Sequence, residues 1–137
     1  MTKFEKFSAF LVILLLVLFG YFIYQNIYLP SKMSVDFVCN NNYTNEELKN
    51  HSSVLGYYDS SSNETFVKTT ITVNDTVYDL DEELIKKTIK HEYCHKHQAE
   101  QNRLNNNCGQ RIRFVLDEME CNFAEYLPDK IYLFFYE

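Results

Sequence analysis

The sequence predicts an α+β protein with one transmembrane helix ahead of a single small domain. Three observations support this prediction. An uncharged apolar run comes first, a segment rich in β-branched residues lies in the middle, and two amphipathic helical patterns follow it. A chain of 137 residues has room for one compact domain after such a span.

The apolar run "FSAFLVILLLVLFGYFIY", residues 7–24, contains no charge, and further apolar residues extend it to Leu29. About 20 such residues cross a bilayer as a helix, so residues 7–29 are predicted to be a membrane anchor. A cleaved signal peptide and a buried helix of a soluble protein are the alternatives. A signal peptide has an apolar core of about 7–15 residues followed by small residues, whereas this run is longer and ends in bulky ones.

The flanks of the run predict its orientation. Lys3 and Lys6 precede it, and positive residues tend to stay cytoplasmic, so residues 1–6 are expected inside and the domain outside. Two further features follow the span and agree with export, namely an even number of cysteines, whose pairing stays open, and four N-x-S/T sequons. The cysteines are Cys39, Cys94, Cys108 and Cys121, and the sequons begin at Asn42, Asn50, Asn63 and Asn74.

Residues 30–55 are polar and rich in turn formers, and we expect a linker or N-terminal segment ahead of a domain over residues 56–137. Within the linker, Thr44 and Glu47 have the spacing of a capping box, which predicts one short helix. The stretch "TFVKTTITV", residues 65–73, is predicted to be a strand because it is dense in β-branched and aromatic residues.

Two helices are predicted after the strand. The first runs from about residue 80 to residue 101, with Asp79 as N-cap and Glu82 completing a capping box. The second covers about residues 111–126 and has an apolar stripe. That stripe consists of Ile112, Val115, Leu116, Met119 and Phe123. The aromatic tail "KIYLFFYE" is expected to pack on the core as a last strand or a short helix.

The first helix carries the chemistry. His91 and His95 flank Glu92 in the pattern H-E-x-x-H, and residues i and i+4 share one helix face, so both imidazoles can bind one zinc ion. Glu92 is placed beside the open coordination position, where it can act as the general base toward a zinc-bound water. An amphipathic helix with polar interior histidines, and a zinc site without catalysis, are the alternatives.

The third ligand must come from elsewhere, because Gln98 and Gln101 occupy the positions where a third histidine of this motif would stand. In the phase set by the apolar stripe of the second helix, Glu120 lies on the border of the inward face. The other acids of that helix are then expected in solvent. They are Asp117, Glu118 and Glu125. We therefore predict zinc ligands His91, His95 and Glu120.

"HEYCH" followed downstream by "DEMECNFAEYLP" resembles the gluzincin metallopeptidases, in which a glutamate on a later helix completes the zinc site. The closest resemblance is to the archaeal minigluzincins and the ImmA/IrrE peptidase family, over about residues 56–128. It implies a minimal zincin-like domain with a small sheet, an HExxH helix and a glutamate helix. It also implies Zn²⁺ as cofactor and endopeptidase activity, and it too selects Glu120. The membrane anchor departs from the mostly cytosolic members of these families.

Taken together, these features predict a membrane-anchored zinc endopeptidase with Glu92 as general base and a peptide or protein as substrate. The alternative is a non-catalytic membrane-anchored protein in which zinc or a residual zincin fold serves only binding or structure. In that case a fourth protein ligand is expected, and Cys94 is the candidate. A formal net charge of −6 and the lack of a basic stripe argue against nucleic acid as a partner.

Overall fold

The computed structural model describes residues 1–136 of the chain and has an α+β fold. Its helices are α1 (Lys3–Ile23), α2 (Leu29–Asn41), α3 (Asn45–Asn50), α4 (Glu82–Glu100), α5 (Arg111–Ala124) and α6 (Asp129–Tyr136). Its strands are β1 (Gly56–Asp59), β2 (Glu64–Val67), β3 (Thr70–Val73) and β4 (Thr76–Asp79). The predicted aromatic tail is thus helical over its described residues.

The N-terminal helix is uninterrupted over 39 residues, Lys3–Asn41, and its most apolar window is not buried by the rest of the protein. A capping box between Thr2 and Glu5 starts it. A π-helical turn, Tyr24–Tyr28, joins α1 to α2 just before Pro30. The wider turn lets the chain continue past a proline, whose backbone has no N–H to donate. This helix is long and apolar enough to cross a membrane.

The second half of this long helix belongs to the domain, although residues 30–55 read as a polar segment in the sequence. Ile27, Ser31 and Val35 follow one another at intervals of four, lie on one face and are buried. That face packs on α5, where Asn122 donates a hydrogen bond of 2.7 Å to the Ser31 hydroxyl. A disulfide between Cys39 and Cys108 ties the end of α2 to the start of α5.

The strands form two separate antiparallel hairpins, β1–β2 and β3–β4, rather than one small sheet. The single strand predicted over residues 65–73 is divided at Lys68, which bonds back to Leu55 through its backbone N–H and to His51 through its ammonium group. Asparagines with positive φ form the turns, at Asn63 in the first hairpin and Asn74 in the second.

The helix α4 begins at Glu82, one or two residues later than predicted, and its N-cap is Asp81 rather than Asp79. Asp79 instead ends β4. The short helix α3 has the predicted capping box, with the Thr44 hydroxyl accepting from Glu47 and the Glu47 carboxylate accepting from the Thr44 N–H. The local sequence therefore predicts this cap correctly, while the choice between two nearby aspartates depends on where the preceding hairpin ends.

The phase predicted for α5 is wrong. Ile112 and Leu116, expected in the core, are 80% and 56% exposed, and the buried residues lie on the opposite side of the helix. These buried residues are Phe114, Glu118, Cys121 and Ala124. The reason is that α5 is packed on two sides, against α2 and α4, and polar side chains form part of both contacts.

Candidate metal centre

Two helices bring three ligand-type side chains to one point. His91 and His95 project from α4, and Glu118 projects from α5. The Glu118 carboxylate lies 3.2 Å from His91 Nε2 through one oxygen and 3.0 Å from His95 Nε2 through the other. The two Nε2 atoms are 3.1 Å apart. We call these three residues the HHE cluster.

The geometry of the HHE cluster suits a metal ion. An ion at about 2.1 Å from each of three tetrahedral ligands holds the ligand atoms about 3.4 Å apart, close to the 3.0–3.2 Å observed. The donors are two imidazole nitrogens and one carboxylate oxygen, a set that zinc accepts in sites with one open position. Among the described residues, the HHE cluster is the group that could hold an ion.

A second layer of side chains orients the imidazoles. The Glu125 carboxylate lies 2.8 Å from His91 Nδ1, and the Gln98 side-chain oxygen lies 3.0 Å from His95 Nδ1. When each Nδ1 carries the proton and donates it to these acceptors, both Nε2 lone pairs point into the cluster. Gln98 is fully buried, and its amide in turn donates to the Asp117 carbonyl oxygen.

A disulfide between Cys94 and Cys121 covalently joins α4 and α5 beside the HHE cluster. Both cysteines are fully buried, and the Cys121 sulfur lies 3.4 Å from His95 Nδ1. Cys94 precedes one ligand in the chain, and Cys121 follows Glu118 by three residues on the same helix face. The bond therefore fixes the separation of the two helices at the level of the ligands.

Glu92 is buried at the edge of the cluster and lines the same cleft as the three ligands. Burial raises the pKa of its carboxyl, and the neighbouring positive charges of His91 and His95 oppose that rise. Gly56 at the start of β1 packs directly against it. A Cβ atom at that position would lie 2.8 Å from Glu92 Cγ and 2.6 Å from Thr88 Cγ2, so only glycine permits this approach without a shift.

The cleft has a volume of about 820 Å³ and opens between α2, β1, α4 and α5. Tyr57 and Tyr58 of β1 line one side, and Met33 and Phe37 of α2 line another. The strand β1 pairs with β2 along one edge only, within the part of the chain that the structure describes. Its other edge therefore has no strand partner in that part of the chain, and its first residue, Gly56, lies against Glu92 beside the HHE cluster.

The electrostatics of the HHE cluster favour the charged forms of its three members. Burial lowers the pKa values of His91 and His95, but the bonds and charge of Glu118, with Glu125 as a further acceptor for His91, outweigh this and raise both. Burial likewise raises the pKa of Glu118, but the two imidazoliums lower it overall. The cluster therefore binds protons in the place where it could bind a cation.

Glu120, the predicted third ligand, does not lie at the histidines. Its carboxylate forms a bidentate pair with Arg103, at 2.6 and 2.9 Å, and accepts further hydrogen bonds from Gln98 and Tyr136. The guanidinium of Arg103 lowers the pKa of this carboxyl. Glu118 and Glu125, which the sequence placed in solvent, are the acids that reach the histidines.

A signal for these residues exists in the sequence but is weaker than the apolar stripe. Glu118, Asn122 and Glu125 stand at positions i, i+4 and i+7, which is one polar face of a helix. Such a face is more often a solvated surface than a metal site. This polar face indicates a metal site only once α4 is known to pack on it.

No protein-family model matches the chain, and neither a curated protein nor a solved structure is significantly similar to it. The resemblance to gluzincin peptidases therefore stays a prediction from the short motifs.

The first prediction separates the two glutamates of α5. Glu118→Ala should weaken zinc binding by at least about 100-fold, because loss of a ligand costs more than loss of an outer partner, which costs about 10–100-fold. Zinc affinity is measured by competition with a chromophoric chelator. Glu120→Ala is the matched control and should bind zinc like the native protein, although it loses the Arg103 pair. Weaker zinc binding in Glu120→Ala than in Glu118→Ala would show that the α4–α5 packing described here is wrong. Glu118→Gln keeps the size of the side chain and so separates loss of a ligand from a folding defect.

The second prediction concerns pH. Because Glu118 raises the pKa values of His91 and His95, protons compete with a divalent ion for these imidazoles above the ordinary histidine pKa. Zinc affinity should therefore rise with pH, and the rise should continue above the ordinary histidine pKa of about 6.5. Calorimetric titration in buffers of different ionisation enthalpy should register protons released to the buffer. An affinity independent of pH would show that these histidines are not the ligands.

Proposed function

We propose that the chain is a membrane-anchored, zinc-dependent endopeptidase. One observation carries the proposal, namely that Glu92 lies buried beside the HHE cluster in a cleft large enough for an extended peptide. A site that served only to hold zinc would have no need of a carboxylate next to its open position.

In the proposed reaction, His91, His95 and Glu118 would hold the ion, which when bound would supply Lewis-acid activation of the scissile carbonyl and of a water molecule. Glu92 would accept a proton from the water as its oxygen bonds to the carbonyl carbon. Glu92 would then pass that proton to the leaving nitrogen as the C–N bond breaks. Burial raises the pKa of the Glu92 carboxyl above its ordinary value, the direction that favours proton uptake.

The surrounding residues position the substrate and the ligands. The free edge of β1 can pair with an extended substrate strand and so place a peptide bond over the cluster. Glu125 and Gln98 hold the two imidazoles with Nε2 toward the ion. Gly56 lets β1 approach Glu92 closely, so that strand and general base lie side by side.

The alternative of a closed structural zinc site is disfavoured by the state of Cys94. Its sulfur is bonded to Cys121 and has no thiolate to offer as a fourth ligand. With three protein ligands the ion would keep an open position, as catalytic zinc sites do.

We further propose that α1 crosses a membrane and that the domain lies outside the cytoplasm. The two disulfides support this, since such bonds persist in oxidising compartments. The sequons carry less weight, because Asn42, Asn63 and Asn74 occupy left-handed backbone positions for which asparagine is favoured in any case.

The third prediction tests the general base. Glu92→Gln should leave zinc content unchanged and lower hydrolysis at least about 100-fold, because the amide cannot take up the proton. The measurement uses the full chain in detergent, loaded with zinc, and detects by mass spectrometry the products of a pool of unstructured peptides. Glu100→Gln on the same helix is exposed and should behave like the native protein. Retained hydrolysis in Glu92→Gln would show that Glu92 is not the base.

The fourth prediction tests the orientation. Protease added to intact cells should digest the domain while leaving a cytoplasmic marker protein untouched. The charge bias at Lys3 and Lys6 and the two disulfides both lead to this expectation. Digestion only after lysis would place the domain in the cytoplasm.

A further inference from the structure

We propose that the substrates are themselves anchored in the membrane and are cut in the segment that immediately leaves the bilayer. This inference rests on the proposed function, and it names the substrate class of the same site. Three features of the structure carry it: a stalk without a flexible joint, the height of the HHE cluster above the apolar span, and the position of the cleft beside the stalk.

The stalk is the continuous helix that leads from the apolar span into the domain. No loop separates the two, because the backbone stays helical from Lys3 to Asn41. Residues Ile27 to Val35 are clamped against α5, and Arg111 bonds Asp36 and Asn40 at the far end. The Cys39–Cys108 disulfide closes this contact. The catalytic domain therefore cannot rise from the membrane on a tether.

The height of the HHE cluster follows from its neighbours on the stalk. The helix α5 runs antiparallel to the stalk, with Asn122 at Ser31 and, just beyond its end, Tyr126 at Phe22, where the ring centroids are 5.5 Å apart. Glu118 and Glu125, which hold His91, lie on either side of Asn122 in the chain. Glu118, the member of the cluster on α5, lies four residues before Asn122 and therefore about 6 Å further from the apolar span. The cluster is thus about level with the stalk between Ser31 and Val35.

Ser31 comes nine residues after Phe22 and two after Leu29, where the apolar run ends. At about 1.5 Å per residue, a cluster level with Ser31 to Val35 stands about 3–9 Å beyond Leu29 and about 14–20 Å beyond Phe22. An extended chain covers about 3.3 Å per residue. The reacting bond is therefore expected about one to six residues outside the apolar layer.

The end of the domain that approaches the membrane has the residues expected there. Tyr126 is partly exposed beside Phe22, and the Lys87 ammonium lies 5.4 Å from the centre of its ring. Lys86, one residue away, is also on the N-terminal part of α4. Tyrosine is favoured at the level of lipid headgroups, and long lysine side chains can extend along such an interface, which agrees with a domain seated on the bilayer surface.

The stalk forms one wall of the cleft, which runs along the stalk from Pro30 to its far end near Cys108. Five stalk residues from Pro30 to Val38 line it, and Met33 among them is 69% exposed. A chain that enters the cleft therefore lies next to the stalk. The segment that follows a second transmembrane helix leaves the same bilayer and can reach this position. Anchoring the substrate in the same bilayer also raises its effective concentration at the cleft to the mM range. A folded soluble protein that approached the cleft would instead collide with the membrane.

The experiment uses the full chain, loaded with zinc, in lipid vesicles. Its substrates are single-span peptides whose 40-residue unstructured arm contains a mixture of residues at each position, and mass spectrometry reads the cut positions. A second set separates the arm from the span by a polar linker of 30 residues, and a third is the free arm. We expect cuts within about six residues of the membrane end, and at least about 10-fold slower cleavage of the spaced and free arms.

A change in the stalk supplies an independent measure. Seven polar helix-forming residues inserted between Ile23 and Tyr24 add two turns, raise the domain by about 10 Å and keep its rotational phase within about 20°. The cut position should then move outward by about three residues. The same seven residues inserted between Met1 and Thr2, at the other end of the span, should not move it. Zinc content verifies that both variants are folded.

The outcomes separate this inference from the proposed function. Cuts scattered along the arm and unmoved by the insertion, with equal rates for free and anchored arms, would overturn the inference and leave the endopeptidase intact. Absence of any cleavage that depends on Glu92, in all three sets, would overturn both. If the stalk insertion does not fold, the comparison of near, spaced and free arms by the native chain still decides.

Discussion

The buried contact between the Glu118 carboxylate and the imidazoles of His91 and His95 is the interaction on which the site depends. It sets the rotation of α5 against α4 and determines which residues face the cleft. Placing three ionisable groups out of water is costly, and such clusters are weak evidence of stability. The cost is offset because, among the described residues, no buried side-chain nitrogen or oxygen lacks a hydrogen-bond partner. The Cys94–Cys121 bond then fixes the same contact covalently.

The helix α5 connects this cluster to the rest of the protein. One side of it meets α4 and the other meets the stalk, so the HHE cluster, the cleft and the apolar span form one mechanical unit. This arrangement explains how a small chain can hold a cleft at all. The helix that could cross the membrane also supplies a cleft wall, and therefore the domain needs fewer elements of its own.

Exposed apolar residues remain on the outer faces of α5 and α6. Ile112 and Leu116 lie on α5, and Phe134 is 81% exposed on α6. Because Ile112 and Leu116 belong to the most apolar stripe of α5, the sequence pattern predicts that this outer face is the core face. The core contact is instead made by a mixed face, on which Phe114 and Cys121 alternate with Glu118 and Asn122. Hydrophobic periodicity alone cannot identify such a face, since it counts apolar residues and not partners.

The sequence by itself determined the features that are local in the chain. It predicted the long apolar helix, the capped helix α3, and the placement of His91 and His95 on one face of α4, because capping and the 3.6-residue repeat act over a few residues. It also predicted Glu92 beside the histidines. Only the tertiary structure decided that Glu118 and not Glu120 meets them. That choice depends on how α5 is rotated between α2 and α4. The rotation is set by contacts between different parts of the chain, namely the Arg103–Glu120 pair and the hydrogen bonds between Glu118 and the histidines of α4.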